Sequence, residues 1–215
     1  MPVKIDSREY RKIDAALMET RKEEDGRMVV EGYATTFNMP YELMRAKDVI
    51  VNEQVDPHAF DGTDMSDTIM QYDHEGRVFA RVKNGTLRLD PDEHGLKVTA
   101  DLGGTEIGRQ LFEEISGGYT NKMSFGFTVT GEKKTREKDE NGNTVILRTI
   151  TKVGRLFDVS AVSLPANDAT EISSRSIGDG LIAEAEKEFL AEQERQRKIG
   201  EIRKILNQED ATHDE

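Results

Sequence analysis

A mainly β fold with a few helices, of the α+β class, is what this sequence predicts, and three observations carry the prediction. Short runs rich in β-branched and aromatic residues recur from Met28 to Leu164, separated by Gly, Asn and Pro turn signals. Helical spacing interrupts them once, at Ile107, Leu111, Phe112 and Ile115. A second helical stretch, rich in charge, starts near Leu181 after a small, polar connector.

Taken in order, the opening from Asp6 to Asp25 has only weak apolar spacing (Ile13, Leu17, Met18), so the N-terminal arm, residues 1–25, is expected as either a strand plus a poor helix or a flexible segment. Met28 to Phe37, MVVEGYATTF, is expected as a strand bent at Gly32. Strands at Thr68 to Asp73, Val78 to Val82, Thr86 to Asp90 and Leu96 to Leu102 are divided by Asn84-Gly85 and by Pro91 to Gly95, which suggests an antiparallel meander. Thr105 caps the helix that follows and Gly117-Gly118 end it. Lys122 to Thr130, KMSFGFTVT, alternates so that Met123, Phe125, Phe127 and Val129 share one face and Ser124, Gly126 and Thr128 the other. Gly131 to Asn143 is almost all charge and turn residues, a long solvated hairpin before the β-like run Thr144 to Ile150. The last strand, Arg155 to Leu164, stops at Pro165, which has no N–H for a ladder. The β domain is thus placed at 26–168, a linker at 169–180 and a C-terminal helical tail at 181–215. A heptad through Ile182, Ala185 and Phe189 meets Glu192, Gln196 and Arg203 at core positions, so the tail is not a sustained coiled coil.

Composition narrows the function. Of 215 residues, 35% are hydrophobic and 33% charged, so the core is small for the length. Lys plus Arg number 30 against 42 Asp plus Glu, a net −12 that repels phosphate backbones and argues against a nucleic-acid partner. With no cysteine there is no disulfide, thiol nucleophile or thiolate zinc site, which fits a reducing compartment. No apolar run approaches the roughly 20 residues that span a bilayer, and Met1 to Arg11 lacks a secretory signal, so a soluble intracellular protein without a membrane partner is expected.

Three residues stand out as chemistry-bearing. His74 follows the strand TIMQYD, where its imidazole can reach a neighbour; His58, His94 and His213 have blander settings. Ser124 lies on the small-residue face of a bulky strand with space left by Gly126, and a Ser or Thr must fill any nucleophile role in a chain without cysteine. Asp158 shares its face with Leu156, Ser160, Val162 and Leu164, and a carboxylate among apolar neighbours has a partner, such as a histidine it orients. Each also has a plain alternative: a turn histidine, a solvent-facing strand serine, a structural carboxylate. Asp56, His58, Asp73, His74 and Glu75 are possible metal ligands, but without a recognised spacing; G-x-S-x-G, H-E-x-x-H and phosphate-loop motifs are all absent, and no cofactor is expected.

The order of segments adds more than any one of them. VEGYATTFN, VDPHAF, MQYDHEG, a glycine-ended helix, NKMSFGF and LFDVSAVSLPAN, over Val29 to Ala169, together resemble the prohead (capsid maturation) serine protease family of tailed bacteriophages. The resemblance implies an antiparallel β-barrel with helices, similar in fold to the herpesvirus assembly proteases, plus the C-terminal helix. It implies a serine endopeptidase in which His74 matches the catalytic histidine and Ser124 the nucleophile. Asp158, where relatives commonly carry an acid before V-S, is the expected third member, although the herpesvirus enzymes use a second histidine there. Backbone N–H groups of Ala166 and Asn167 are expected in the oxyanion hole. Major capsid protein and scaffold are the implied substrates, inside the assembling prohead in the host cytoplasm, and self-cleavage and a homodimer are compatible with it. The competing expectations are a noncatalytic assembly protein on the same barrel and a metal-dependent hydrolase using Asp73, His74 and Glu75.

Overall fold

The computed structural model describes residues 8–13 and 18–162, together with helical residues between 179 and 199. Within residues 8–162 lie eleven strands and one α-helix: β1 (Arg8–Ile13), β2 (Glu19–Lys22), β3 (Met28–Thr36), β4 (Tyr41–Ala46), β5 (Val49–Val55), β6 (Ile69–Tyr72), β7 (Glu75–Arg81), β8 (Leu87–Pro91), β9 (Gly95–Asp101), α1 (Glu106–Ser116), β10 (Lys122–Lys138) and β11 (Thr144–Val162). The chain is mostly β with few helices, as its alternation and turn signals predict.

The strands form two sheets. One has the order β1-β10-β11-β5-β4, with β6 on β11 and β7 on β6; the other runs β2-β3-β9-β8. β10 and β11 are one long antiparallel hairpin, Lys122 opposite Val162 at one end and Lys138 opposite Thr144 at the other. β11 changes partner along its length: Thr144 to Ile150 pair parallel with β5, and Asp158 to Ala161 pair parallel with β6. That change, with register shifts between Gly126 and Glu132 on β10, splays the sheet. Among the described residues no ladder closes either sheet, so the expected closed barrel is not found. Nor is residues 68–102 a single meander. A short 3₁₀ turn at Val82–Asn84, left through Gly85 at φ +77°, redirects the chain so that β6 and β7 join one sheet and β8 and β9 the other.

Apolar faces of both sheets meet in one core. Met123, Phe125, Phe127 and Val129 of β10 enter it with Val30, Leu96, Val98 and Leu156, and Leu111, Phe112 and Ile115 of α1 cover it. Thr105 caps α1 by accepting from the Gly108 N–H at 3.1 Å, and the helix ends at Gly117, as the sequence predicts.

Of the two readings of the opening segment, its described residues take that of strands. β1 is an edge strand of the large sheet, antiparallel to β10 with Arg8 opposite Thr128 and Lys12 opposite Ser124, and β2 pairs with β3. Hydrophobic spacing misses β1 because its buried positions are charged: Glu9 is 4% exposed and Arg11 1%. They enter a buried ionic cluster with Glu53 and Arg148. Arg11 donates to Glu53 at 2.5 and 3.0 Å and to Glu9 at 2.6 Å. Arg148 donates to Glu53 at 2.5 Å, to Glu9 at 3.0 and 3.1 Å and to Glu132 at 2.7 Å. The Tyr41 hydroxyl adds a bond to Glu53. Burial alone would raise the Glu53 pKa, but Arg11 and Arg148 outweigh it and hold the carboxyl below its ordinary range.

Of the tail, Leu181 packs with Val51 and Ile146, and Lys134 pairs with Glu184 at 3.0 Å. Residues 163–178, including Pro165 and most of the expected linker, lie outside the described residues. Among those described, no helix is long and apolar enough to cross a membrane.

Candidate active site

Three backbone devices bring the site together. Ser124 sits on β10 opposite Ser160 of β11, and Asp158, two residues before Ser160, is opposite Gly126. The alternation that puts Ser124 and Gly126 on one face therefore places the serine and the carboxylate on that face too. A Cβ on residue 126 would lie 2.6 Å from Asp158 Oδ2 and 2.8 Å from Tyr10 Cε1, so the space beside the serine that glycine leaves is filled by these two groups. His74 comes from β6 and β7, whose Tyr72–Glu75 pair encloses a two-residue turn of Asp73 and His74. Both have positive φ, +48° and +62°, the signature of a primed hairpin turn adopted here without glycine, a conformation of modest cost that recurs at functional sites. The Asp73 N–H anchors the turn on the Ala161 carbonyl at 3.0 Å.

The three expected residues form one chain of contacts. His74 Nε2 is 2.5 Å from Ser124 Oγ, and His74 Nδ1 is 2.5 Å from Asp158 Oδ1. A carboxylate only accepts, so Nδ1 carries the imidazole proton and Nε2 is left to accept from the serine. Ser160 Oγ donates to Asp158 Oδ1 at 3.3 Å, and Arg8 donates to Oδ2. The Tyr10 ring meets the imidazole edge-on at 4.6 Å. Ser124 is 1% exposed, and the side chains of His74 and Asp158 3% and 0%. The plain alternative of a solvent-facing strand serine is thus not what the fold builds.

Electrostatics keep the imidazole neutral. Burial first, and then the Arg8 guanidinium beside the same Asp158 carboxylate, lower the His74 pKa from 6.5 to about 4. An NMR titration of the His74 ring in the resting protein is therefore expected to show no protonation until the pH nears 4. Between the unfolded value and the lowered one the unfolded chain binds the proton and the native chain does not, so this group's contribution to stability is lost as pH falls from 6.5 toward about 4.

Other expected site residues fall elsewhere. Ala166 and Asn167, the expected oxyanion donors, lie outside the described residues. His58 sits in a turn, exposed and 3.1 Å from Asp61. Both ring nitrogens of His74 are engaged by Ser124 and Asp158, and among the described residues no group of three or more His, Asp or Glu converges on a metal position. Sequence reasoning missed Arg8, Tyr10 and the Arg11 carbonyl, which accepts from Ser124 Oγ at 3.0 Å. Their signal was the strand REYRKI, in which charge stands where apolar residues usually mark the inward face. Ser160 was visible on the Asp158 face, without a role.

A histidine bonded on one nitrogen to a hydroxyl and on the other to a buried carboxylate can withdraw the hydroxyl proton, the chemistry on which serine hydrolases depend. A sequence model described as caudovirus prohead serine protease matches residues 16–181. The chain belongs to that family, whose members are phage capsid-maturation proteases. Among solved structures it is similar to the bacteriophage T4 capsid assembly protease gp21, with TM-score 0.41 and 10% identity over 73% of this chain and 99% of that one. No curated protein matches the chain.

Proposed function

We propose that the protein is a serine endopeptidase that cleaves capsid and scaffold proteins within the assembling prohead, with Ser124 as nucleophile, His74 as general base and Asp158 orienting the imidazole. The observation that carries this reading is His74 lying 2.5 Å from both the Ser124 hydroxyl and the Asp158 carboxylate. His74 Nε2 takes the Ser124 proton as Oγ attacks the scissile carbonyl, then passes it to the leaving amine; water attacks the acyl-serine and releases the acid. Asp158 holds Nδ1–H in place and stabilises the imidazolium between these steps, and Ser160 and Arg8 hold Asp158. Neutral His74 is ready to accept a proton at ordinary pH.

A fluorophosphonate probe tests the nucleophile. One covalent adduct is expected, mapped by peptide mass to Ser124 and lost in His74→Ala; an adduct elsewhere, or one that His74→Ala leaves unchanged, contradicts the assignment. The metal-hydrolase alternative is disfavoured because the His74 nitrogens it needs already have partners.

A further inference from the structure

Asp158 stands next to an irregularity in its own strand. β10 and β11 pair Gly126 with Asp158 but Phe127 with Leu156, so Phe157 is an extra residue on β11. This bulge reverses the alternation: Leu156 turns into the core, whereas Asp158 turns to the face of Ser124. A bulge also disrupts the ladder locally, so the carboxylate follows a stretch of backbone that pairing holds less tightly. Its orientation then depends on its side-chain partners.

Three groups meet that carboxylate. Oδ1 is 2.5 Å from His74 Nδ1 and accepts from Ser160 Oγ at 3.3 Å, while Oδ2 accepts from Arg8. A carboxylate oxygen offers about two lone-pair sites, so His74 and Ser160 together fill Oδ1, the oxygen on which the imidazole depends. Arg8 holds the other oxygen, from an edge strand and with its side chain 36% exposed. Ser160 and Asp158 are both fully buried, which spares their bond the competition of bulk water. Past the bulge, regular pairing resumes, and Ser160 stands opposite Ser124 on β10 and Gln71 on β6. Its hydroxyl is thereby registered with the strand of the nucleophile and with the strand that leads into the His74 turn.

We infer that Ser160 is a positioning residue: by holding Asp158 Oδ1 toward His74 Nδ1, it keeps the imidazole proton on Nδ1 and leaves Nε2 to take the Ser124 proton. The inference rests on the proposed roles of Ser124, His74 and Asp158, and gives Ser160 an effect on the imidazole that a packing residue would lack. Without the hydroxyl, the carboxylate is free to turn toward Arg8, and Nδ1 loses its acceptor in part of the molecules. In those the proton moves to Nε2, where it blocks transfer from Ser124.

Ser160→Ala removes the hydroxyl and little volume. Two readouts follow it in the full chain: the rate of fluorophosphonate labelling at Ser124, and the His74 nitrogen chemical shifts at neutral pH, which report where the imidazole proton sits. Labelling is expected to slow about tenfold, the scale of one hydrogen bond to a charged group. The Nε2–H form is expected to appear beside Nδ1–H, with the circular dichroism spectrum unchanged. Ser160→Thr keeps the hydroxyl, so it is expected to retain the Nδ1–H form and to label within about threefold of wild type. Labelling of Ser160→Ala at the wild-type rate would overturn the inference, as would slowed labelling with the Nδ1–H form intact. So would an equal loss in a folded Ser160→Thr; if threonine does not fold in this buried position, the tautomer of Ser160→Ala decides alone. Each of these results leaves the Ser124 assignment standing. No labelling of Ser124 in wild type would overturn the catalytic reading itself, and this inference with it.

Discussion

Arg148→Ala is expected to destabilise the protein by about 3–5 kcal/mol, the cost of leaving a buried charge without its partner. Arg148 is 3% exposed and donates to Glu9, Glu53 and Glu132. Without it, the carboxylates of Glu9 and Glu53 share the single positive charge of Arg11 among the described residues, with the Tyr41 hydroxyl on Glu53, in a buried place. The comparison variant is Arg45→Ala, which breaks the surface pair with Glu42, exposed at 53% and 45%. It is expected to cost far less, because solvent screens the pair before and after. Urea denaturation of the two variants beside wild type measures both. A similar loss in the two would mean that the cluster is not buried as described.

The second large effect is on catalysis. Asp158→Asn keeps the side chain's shape but can present an amide N–H to His74 Nδ1, which then accepts instead of donating. The imidazole proton moves to Nε2, where it meets the Ser124 hydroxyl and can no longer receive that proton. Turnover is expected to fall by roughly 10⁴ with the fold retained, the scale set by loss of the correct tautomer in a triad. Single-turnover cleavage of a capsid-protein peptide, with circular dichroism to verify folding, checks it. Activity within about tenfold of wild type would leave Asp158 a structural partner of Arg8 and Ser160, since one kcal/mol-scale contact accounts for a change of that size.

Much of this site was legible in the sequence because it rests on local rules. Alternation along KMSFGF put Ser124 opposite the core face, and the same period put Asp158 on the face of Ser160. What could not be read was long-range. The parallel pairing of β6 with β11, which carries the His74 turn to Asp158, depends on contacts between residues 69–72 and 158–161 that no local pattern encodes. Hydrophobic period also fails where the buried face is ionic. Glu9, Arg11 and Glu53 are charged, so no apolar pattern marks them, yet each is buried because the others neutralise it. The same failure hid β1, and with it the Arg11 carbonyl at the serine. A closed barrel was expected from the family resemblance, whereas β11, by exchanging β5 for β6 along its length, leaves the described sheets open.

The most direct test of the central claim is intact mass over time for the phage's assembled capsid protein incubated with wild type or with Ser124→Ala. The variant is expected to stay folded, since the lost hydroxyl bonds are worth about 1 kcal/mol each. The account predicts a defined loss of mass from the capsid protein with wild type and none with Ser124→Ala. Cleavage at the same sites and rate by a folded Ser124→Ala would contradict it.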